Sequence, residues 1–267
     1  MSGYLLFHKI SDDPAAIFPE SKQAWSRALA FSFPALKEHP SVHMLRTVFR
    51  RGLSAGGGAL AVATGTYLYT TWDIQPVPIS NSSDPIFQNK HYRKCNPNDN
   101  PTVHDLHVLK VPFSRIDPAL LENRERLLER YCGGVWGGVG FMLQRNLRKC
   151  FTTTDDHLWS KPDLLASPYK PGTTITDEFL VLHKSPDAIL VRGGDKVINQ
   201  GLRPLDAFIE LTANVKPDDE VVEFGFKSVF FQGIGRAKGL PMPGFIVWLH
   251  EVYAKALLGS GVRYVLR

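Results

Sequence analysis

Alternation between apolar and polar positions is clearest from Glu220 to Phe231, EVVEFGFKSVFF. Val222, Phe224, Phe226, Ser228 and Phe230 fall on one side, and Glu223, Gly225, Lys227 and Val229 on the other. A period of two predicts a strand with one apolar face. DAFIELTANV, just before it, alternates in the same way, and Pro217-Asp218-Asp219 marks a turn between them. A hairpin with that tip sets Glu210 opposite Lys227 and Asn214 opposite Glu223. It also sets Ile209 opposite Ser228, Leu211 opposite Phe226, and Ala213 opposite Phe224. A slip of one residue would scramble this sorting, so the register is strongly specified. The expected sheet is antiparallel, with one apolar face and one wet face carrying a Glu210–Lys227 pair.

The same patterns place the other elements. HDLHVLKVPF reads as a strand, and EFLVLHK with AILVRGG as a hairpin around Ser185-Pro186-Asp187. DPALLENRERLLERYCGGVWGGVGFMLQRNLRKC reads as two helices joined near Gly133-Gly134, with Asp117 as N-cap and Pro118 at the first helical position. PGFIVWLHEVYAKALL is a helix with apolar residues at Phe245, Trp248, Leu249, Val252 and Ala256. An antiparallel sheet with an apolar face must be covered, and this last helix is the one long and apolar enough to do it. The fold class is therefore α+β, a curved antiparallel sheet against a long C-terminal helix.

Three regions follow. Residues 1–75 form an N-terminal helical extension whose short helical patterns are broken by Pro14, Pro19, Pro34 and Pro40. Residues 76–102 are rich in proline, serine and asparagine and read as a linker. Residues 103–267 are the main domain. Within the extension, residues 52–72 carry no charged side chain and follow Arg46, Arg50 and Arg51. A basic cluster before an uncharged run of about 20 residues suits a signal-anchor, which would place the main domain in the ER lumen. The run is rich in glycine and threonine, so a helix packed on the domain, leaving the protein cytoplasmic, accounts for it as well. Asn81-Ser82-Ser83 is an acceptor sequon on the side an anchor would place in the lumen.

Composition narrows the function classes. The chain has 267 residues, 43% hydrophobic and 21% charged, with a formal net charge of +5. Acidic residues are interleaved through the basic run Arg124 to Lys149, and no nucleic-acid-binding motif accompanies it, so nucleic acid is not an expected partner. Three cysteines without CxxC or Cys/His spacing signal neither a disulfide framework nor a metal site. There is no nucleophile elbow, phosphate loop or dinucleotide fingerprint. GGVWGGVG follows a helix rather than a strand, which suits close packing with Trp136 projecting inward.

Four candidate chemistries remain. In HDLH, Asp105 and His107 share a strand face while His104 points oppositely. They can pair as base and orienting acid, or simply as a hydrogen-bonded edge pair. In VRGGD, Gly193-Gly194 permits a bulge that realigns Arg192 with Asp195. In WLHEVYAK, His250 and Tyr253 are three apart and share a helical face. Ser228 puts one hydroxyl among the phenylalanines of the last strand.

The element order, with the ending VVEFGFKSVFF…PMPGFIVWLHEVYAKALL, resembles the START-like (helix-grip) superfamily over about residues 103 to 267. The SDPIF, NPNDNP and HDL blocks resemble uncharacterised fungal proteins of secondary-metabolite gene clusters. The resemblance implies a ligand between the concave sheet face and the last helix, lined by Phe224, Phe226, Ser228 and Phe230; Trp136, unless it is a core residue, and Trp248 are further candidates for the same lining. It favours a cofactor-independent cyclase of terpenoid or polyketide biosynthesis, for which the residues themselves offer His250, Tyr253, Arg192 and Asp195 as polar catalytic groups and no metal. An intramolecular Diels–Alder closure fits, as in pathways to bridged terpenoids such as sordarin. A membrane-attached carrier of lipids, sterols or other hydrophobic metabolites is the alternative. A structural protein with a filled core is the third reading.

Overall fold

Among the described residues, seven strands form one antiparallel sheet in the order β1-β2-β7-β6-β5-β4-β3. They are β1 (Gln75–Pro76), β2 (Thr102–Pro112), β3 (Thr174–Ile175), β4 (Phe179–Lys184), β5 (Ala188–Gly193), β6 (Asp206–Lys216) and β7 (Val221–Phe231). The computed structural model describes residues 64–150 and 157–267. The N-terminal helical extension up to residue 63, including most of the uncharged run, lies outside the described residues.

The β6–β7 hairpin has the register that alternation predicts, with Glu210 opposite Lys227, Ile209 opposite Ser228 and Leu211 opposite Phe226. Lys227 Nζ lies 2.8 Å from Glu210. The inner sheet face and the helices share one apolar core that includes Val222, Phe224 and Phe226. The outer face is not left wet. Ile86, Phe87, Tyr92 and Cys95 cover it and form a second cluster with Leu190, Phe208, Val229 and Phe231. Those covering residues come from the stretch read as a linker. It folds as a 3-10 turn, Pro85–Gln88, and helix α1 (Lys90–Cys95), capped by the Asp84 and Asn89 side chains. Polar composition hid this because its apolar residues are few and local. They become a core only against a sheet made elsewhere.

The helical layer holds α2 (Pro118–Leu121), α3 (Arg124–Gly137), α4 (Val139–Lys149), α5 (Lys161–Ala166) and α6 (Gly244–Val262). Asp117 caps α2 with Pro118 in its first turn, as expected. The break between α3 and α4 falls at Gly138, not at Gly133-Gly134. Gly133 and Gly134 stay helical because a glycine face lets α3 touch its neighbours. A Cβ on Gly134 would sit 2.6 Å from the Gly261 carbonyl oxygen of α6, and one on Gly133 3.1 Å from the Leu164 carbonyl oxygen of α5.

Helix α6 packs on β2, β7 and α3. Its buried residues are Ala254, Leu257, Leu258 and those up to Val262. The apolar positions expected to bury at its start do not: Phe245, Trp248 and Leu249 are exposed. Residues 64–71 are helical and dock on α6, with Tyr67 Oη donating to the Val252 carbonyl at 3.3 Å. Among the described residues no helix is long and apolar enough to cross a membrane.

Gly134→Ala should lower stability by about 1–3 kcal/mol, the usual cost of overpacking. Chemical unfolding of the full chain measures it. An unchanged midpoint would mean that α3 and α6 can separate freely.

Candidate functional site

The β2–β7 register sets Asp105 directly opposite Ser228, and His107 opposite Phe226. All face inward, where α6 crosses. Helix α6 brings His250 onto them. Ser228 Oγ lies 2.8 Å from His250 Nε2 and donates to Asp105 Oδ1 in a short contact. The other carboxylate oxygen, Oδ2, is 3.1 Å from His107 Nε2 and 3.4 Å from His250 Nε2. Three elements therefore converge on one carboxylate, buried beneath the first half of α6. Ser228 is fully buried and His107 nearly so. The His250 side chain keeps 16% of its exposure, and its ring meets Phe230 edge-on at 4.7 Å.

The direction of the hydrogen bonds limits the chemistry. Burial alone would raise the Asp105 pKa. The close approach of His107 and His250, the His250 charge and the hydrogen bond from Ser228 together hold the carboxyl well below the usual range. Asp105 is thus a carboxylate that accepts. With the Ser228 hydroxyl directed at Asp105, its oxygen accepts from His250, so Nε2 of His250 carries the hydrogen. A hydrolytic triad needs the reverse, a serine donating to histidine and an acid behind the ring on its second nitrogen. Here the acid stands beside the serine and touches the same nitrogen. The arrangement orients His250 and leaves its Nδ1 without a hydrogen bond among the described residues.

Tyr253, one turn on, heads a second polar chain. Its hydroxyl donates to Gln144 Oε1 of α4 at 2.8 Å, and Gln144 Nε2 donates to Glu178 at 3.2 Å. Arg148 reaches the same carboxylate at 2.7 Å. Burial, then the Glu178 charge, raises the Tyr253 pKa. Burial also raises that of Glu178, against the lowering effects of Arg148 and Gln144. Because Glu178 turns the Gln144 amide, the tyrosine proton is engaged internally. Tyr253 positions α4 against α6.

The remaining expected residues separate. Arg192 does not pair with Asp195. It points to the outer side of the sheet, bonds Asp206 at 2.6 Å and holds the Gly201 carbonyl at 2.7 Å. Asp195 instead accepts from Lys196 N and Asn199. Gly194, at φ 90°, turns the chain away so that no bulge aligns the two. Phe224 and Phe226 are fully buried in the main core and line no open space. Trp136 is sealed between Phe141 and Phe179. Trp248 stacks on Phe245 at 6.3 Å; two residues from His250, it is about 200° round the helix from it. Ser228 and Phe230, by contrast, meet at His250. The cleft of about 850 Å³ lined by Glu125, Glu129, Lys184 and Tyr264 lies apart from this cluster. Among the described residues no group of His, Cys, Asp and Glu is placed to hold a metal ion.

Asp105 and His107 were visible as a pair on one face. Their importance was not, because it depends on β2 lying beside β7, a long-range pairing that local periodicity does not encode. Comparison with known proteins finds no matching family model, curated protein or solved structure.

Asp105→Asn tests the cluster through acid stability. A carboxyl whose folded pKa lies below its unfolded value, about 3.9, stabilises the fold above that pH and loses its contribution as pH falls. Wild type should exceed Asp105→Asn in stability at pH 7, and the gap should narrow on acidification below about pH 4. Urea unfolding at the two pH values measures it; a gap independent of pH would contradict the pairing.

Proposed function

We propose that this chain is a cofactor-independent cyclase of the helix-grip type, which closes a ring in an apolar terpenoid or polyketide by an intramolecular Diels–Alder reaction. The observation that carries this reading is the Asp105–Ser228–His250 arrangement, a buried carboxylate that fixes one imidazole and leaves its second nitrogen unused. The working surface is the end of the inner sheet face at Phe230 and His250. Phe224 and Phe226 belong to the packed half beneath it.

A pericyclic closure needs no nucleophile. It gains from holding diene and dienophile in a reactive pose. It gains further from a hydrogen bond to a carbonyl conjugated with the dienophile, which draws electron density from the alkene. His250, with a hydrogen on each ring nitrogen, donates such a bond from Nδ1 while Nε2 stays on Ser228. The Asp105–His107–His250 cluster also favours catalysis over passive carriage. A hydrophobic carrier needs the cluster only to fix the fold, whereas a cyclase also uses the imidazole that it orients.

Deletion of the encoding gene in the native host, followed by comparative metabolite profiling, tests the reading. A Diels–Alder closure conserves mass, so a cyclic product should fall while an open isomer of equal mass accumulates. Complementation with His250→Gln should restore the same product more slowly, since one preorganised donor is worth ~2.7–4 kcal/mol at most. Ser228→Ala should retain turnover, and intact-protein mass spectra should show no adduct. A covalent adduct, or abolition of turnover in Ser228→Ala with a folded protein, would replace this reading with nucleophilic catalysis. An unchanged metabolite profile on deletion would remove the cyclase proposal.

A further inference from the structure

The first turns of α6 and the outer side of α4 are apolar and, among the described residues, uncovered. Phe245, Trp248 and Leu249 on α6, and Met142, Leu143 and Leu147 on α4, are each at least 47% exposed. The two helices are antiparallel neighbours. Gly140 sits against the Ala256 backbone, and Gln144 takes the Tyr253 hydroxyl, so Leu147 runs on toward the start of α6. The two sets of side chains therefore lie on one side of the helical layer. Exposed apolar faces of this kind mark interaction sites.

Charge indicates the partner. Residues 232–249 contain no acidic residue and carry Arg236 and Lys238, both exposed. Helix α4 contains no acidic residue either, and ends in Lys149 after Arg148, which is paired with Glu178. Helix α6 starts at Pro243 without a side-chain cap, so its first backbone N–H groups and the positive end of its dipole are open to an anion. A stacked Phe–Trp pair with leucines beside it, rimmed by cations and an uncapped helix N-terminus, has the composition of a helix that lies in the interface of an anionic bilayer. Glu251, one turn after Trp248, is the acid nearest this face, and Arg236, Lys238 and Lys149 outnumber it, so the rim is cationic in balance and favours an anionic lipid surface over a protein of ordinary mixed charge.

We propose that the start of α6, together with the outer side of α4, docks on an anionic lipid surface. The inference does not depend on the cyclase reading.

Co-sedimentation of the full chain with phosphatidylcholine vesicles, with and without phosphatidylserine, tests it. Binding should require phosphatidylserine, weaken with added salt, and fall about tenfold or more in Phe245→Ser/Trp248→Ser. Both residues are exposed, so the thermal transition of that variant should not move. Tyr69→Ser/Trp72→Ser, on the neighbouring exposed helix, should bind nearly as wild type. Failure of the wild-type chain to bind vesicles overturns the proposal. So does equal binding by the α6 variant, which would place the contact elsewhere. A variant that changes from dimer to monomer while its vesicle binding persists would make the face a self-association surface and also overturn it.

Discussion

A single buried carboxylate constrains the architecture of this domain. Asp105 sits on the inner face of β2, and its ionised form is tolerated there because Ser228 donates to it and the rings of His107 and His250 approach its other oxygen at 3.1 and 3.4 Å. His107 comes from the same strand, Ser228 from β7 and His250 from α6. A slip of β2 by one residue would turn Asp105 to the outer face and leave Ser228 and His250 without it. Strand register, the docking of α6 and the state of His250 are thus one problem with one solution.

The opposite face of the sheet solves a similar problem in a different way. Asp206 is fully buried and is held by Arg192, with Arg203 at 3.8 Å. Arg192 and Arg203 also hold backbone carbonyls of the connection between β5 and β6, including Gly201, Gly193 and Asn199. This network fastens a long loop rather than facing α6. Two buried charge centres in one sheet therefore have different uses. One is closed by backbone carbonyls on its own side, while the other retains a partly exposed imidazole.

Much of the sheet was legible in the sequence. The alternation of EVVEFGFKSVFF and DAFIELTANV is a local signal, and both the hairpin and its register follow from it. The helix at residues 244–262 was equally plain in its period, but not in its burial. Phe245, Trp248 and Leu249 looked like core because periodicity reports a face, not what covers it. The segment from Pro85 to Cys95 looked like a linker because its few apolar residues need the outer sheet face to make sense. The site was half legible: His250 and Ser228 were singled out, and Asp105 and His107 were noticed as a pair. Their convergence rests on β2 pairing with β7 across more than a hundred residues. Arg192 and Asp195 were drawn together by nearness in sequence, whereas the true partner of Arg192 lies across the β5–β6 connection.

The account depends on which nitrogen of His250 is held. Nitrogen NMR of the His250 ring, in the full chain at a pH where the imidazole is neutral, reads this directly. The hydrogen should reside on Nε2, facing Ser228 and Asp105, with Nδ1 unprotonated, and Asp105→Asn should weaken that preference. A ring with its hydrogen on Nδ1, unaffected by loss of the Asp105 charge, would contradict it.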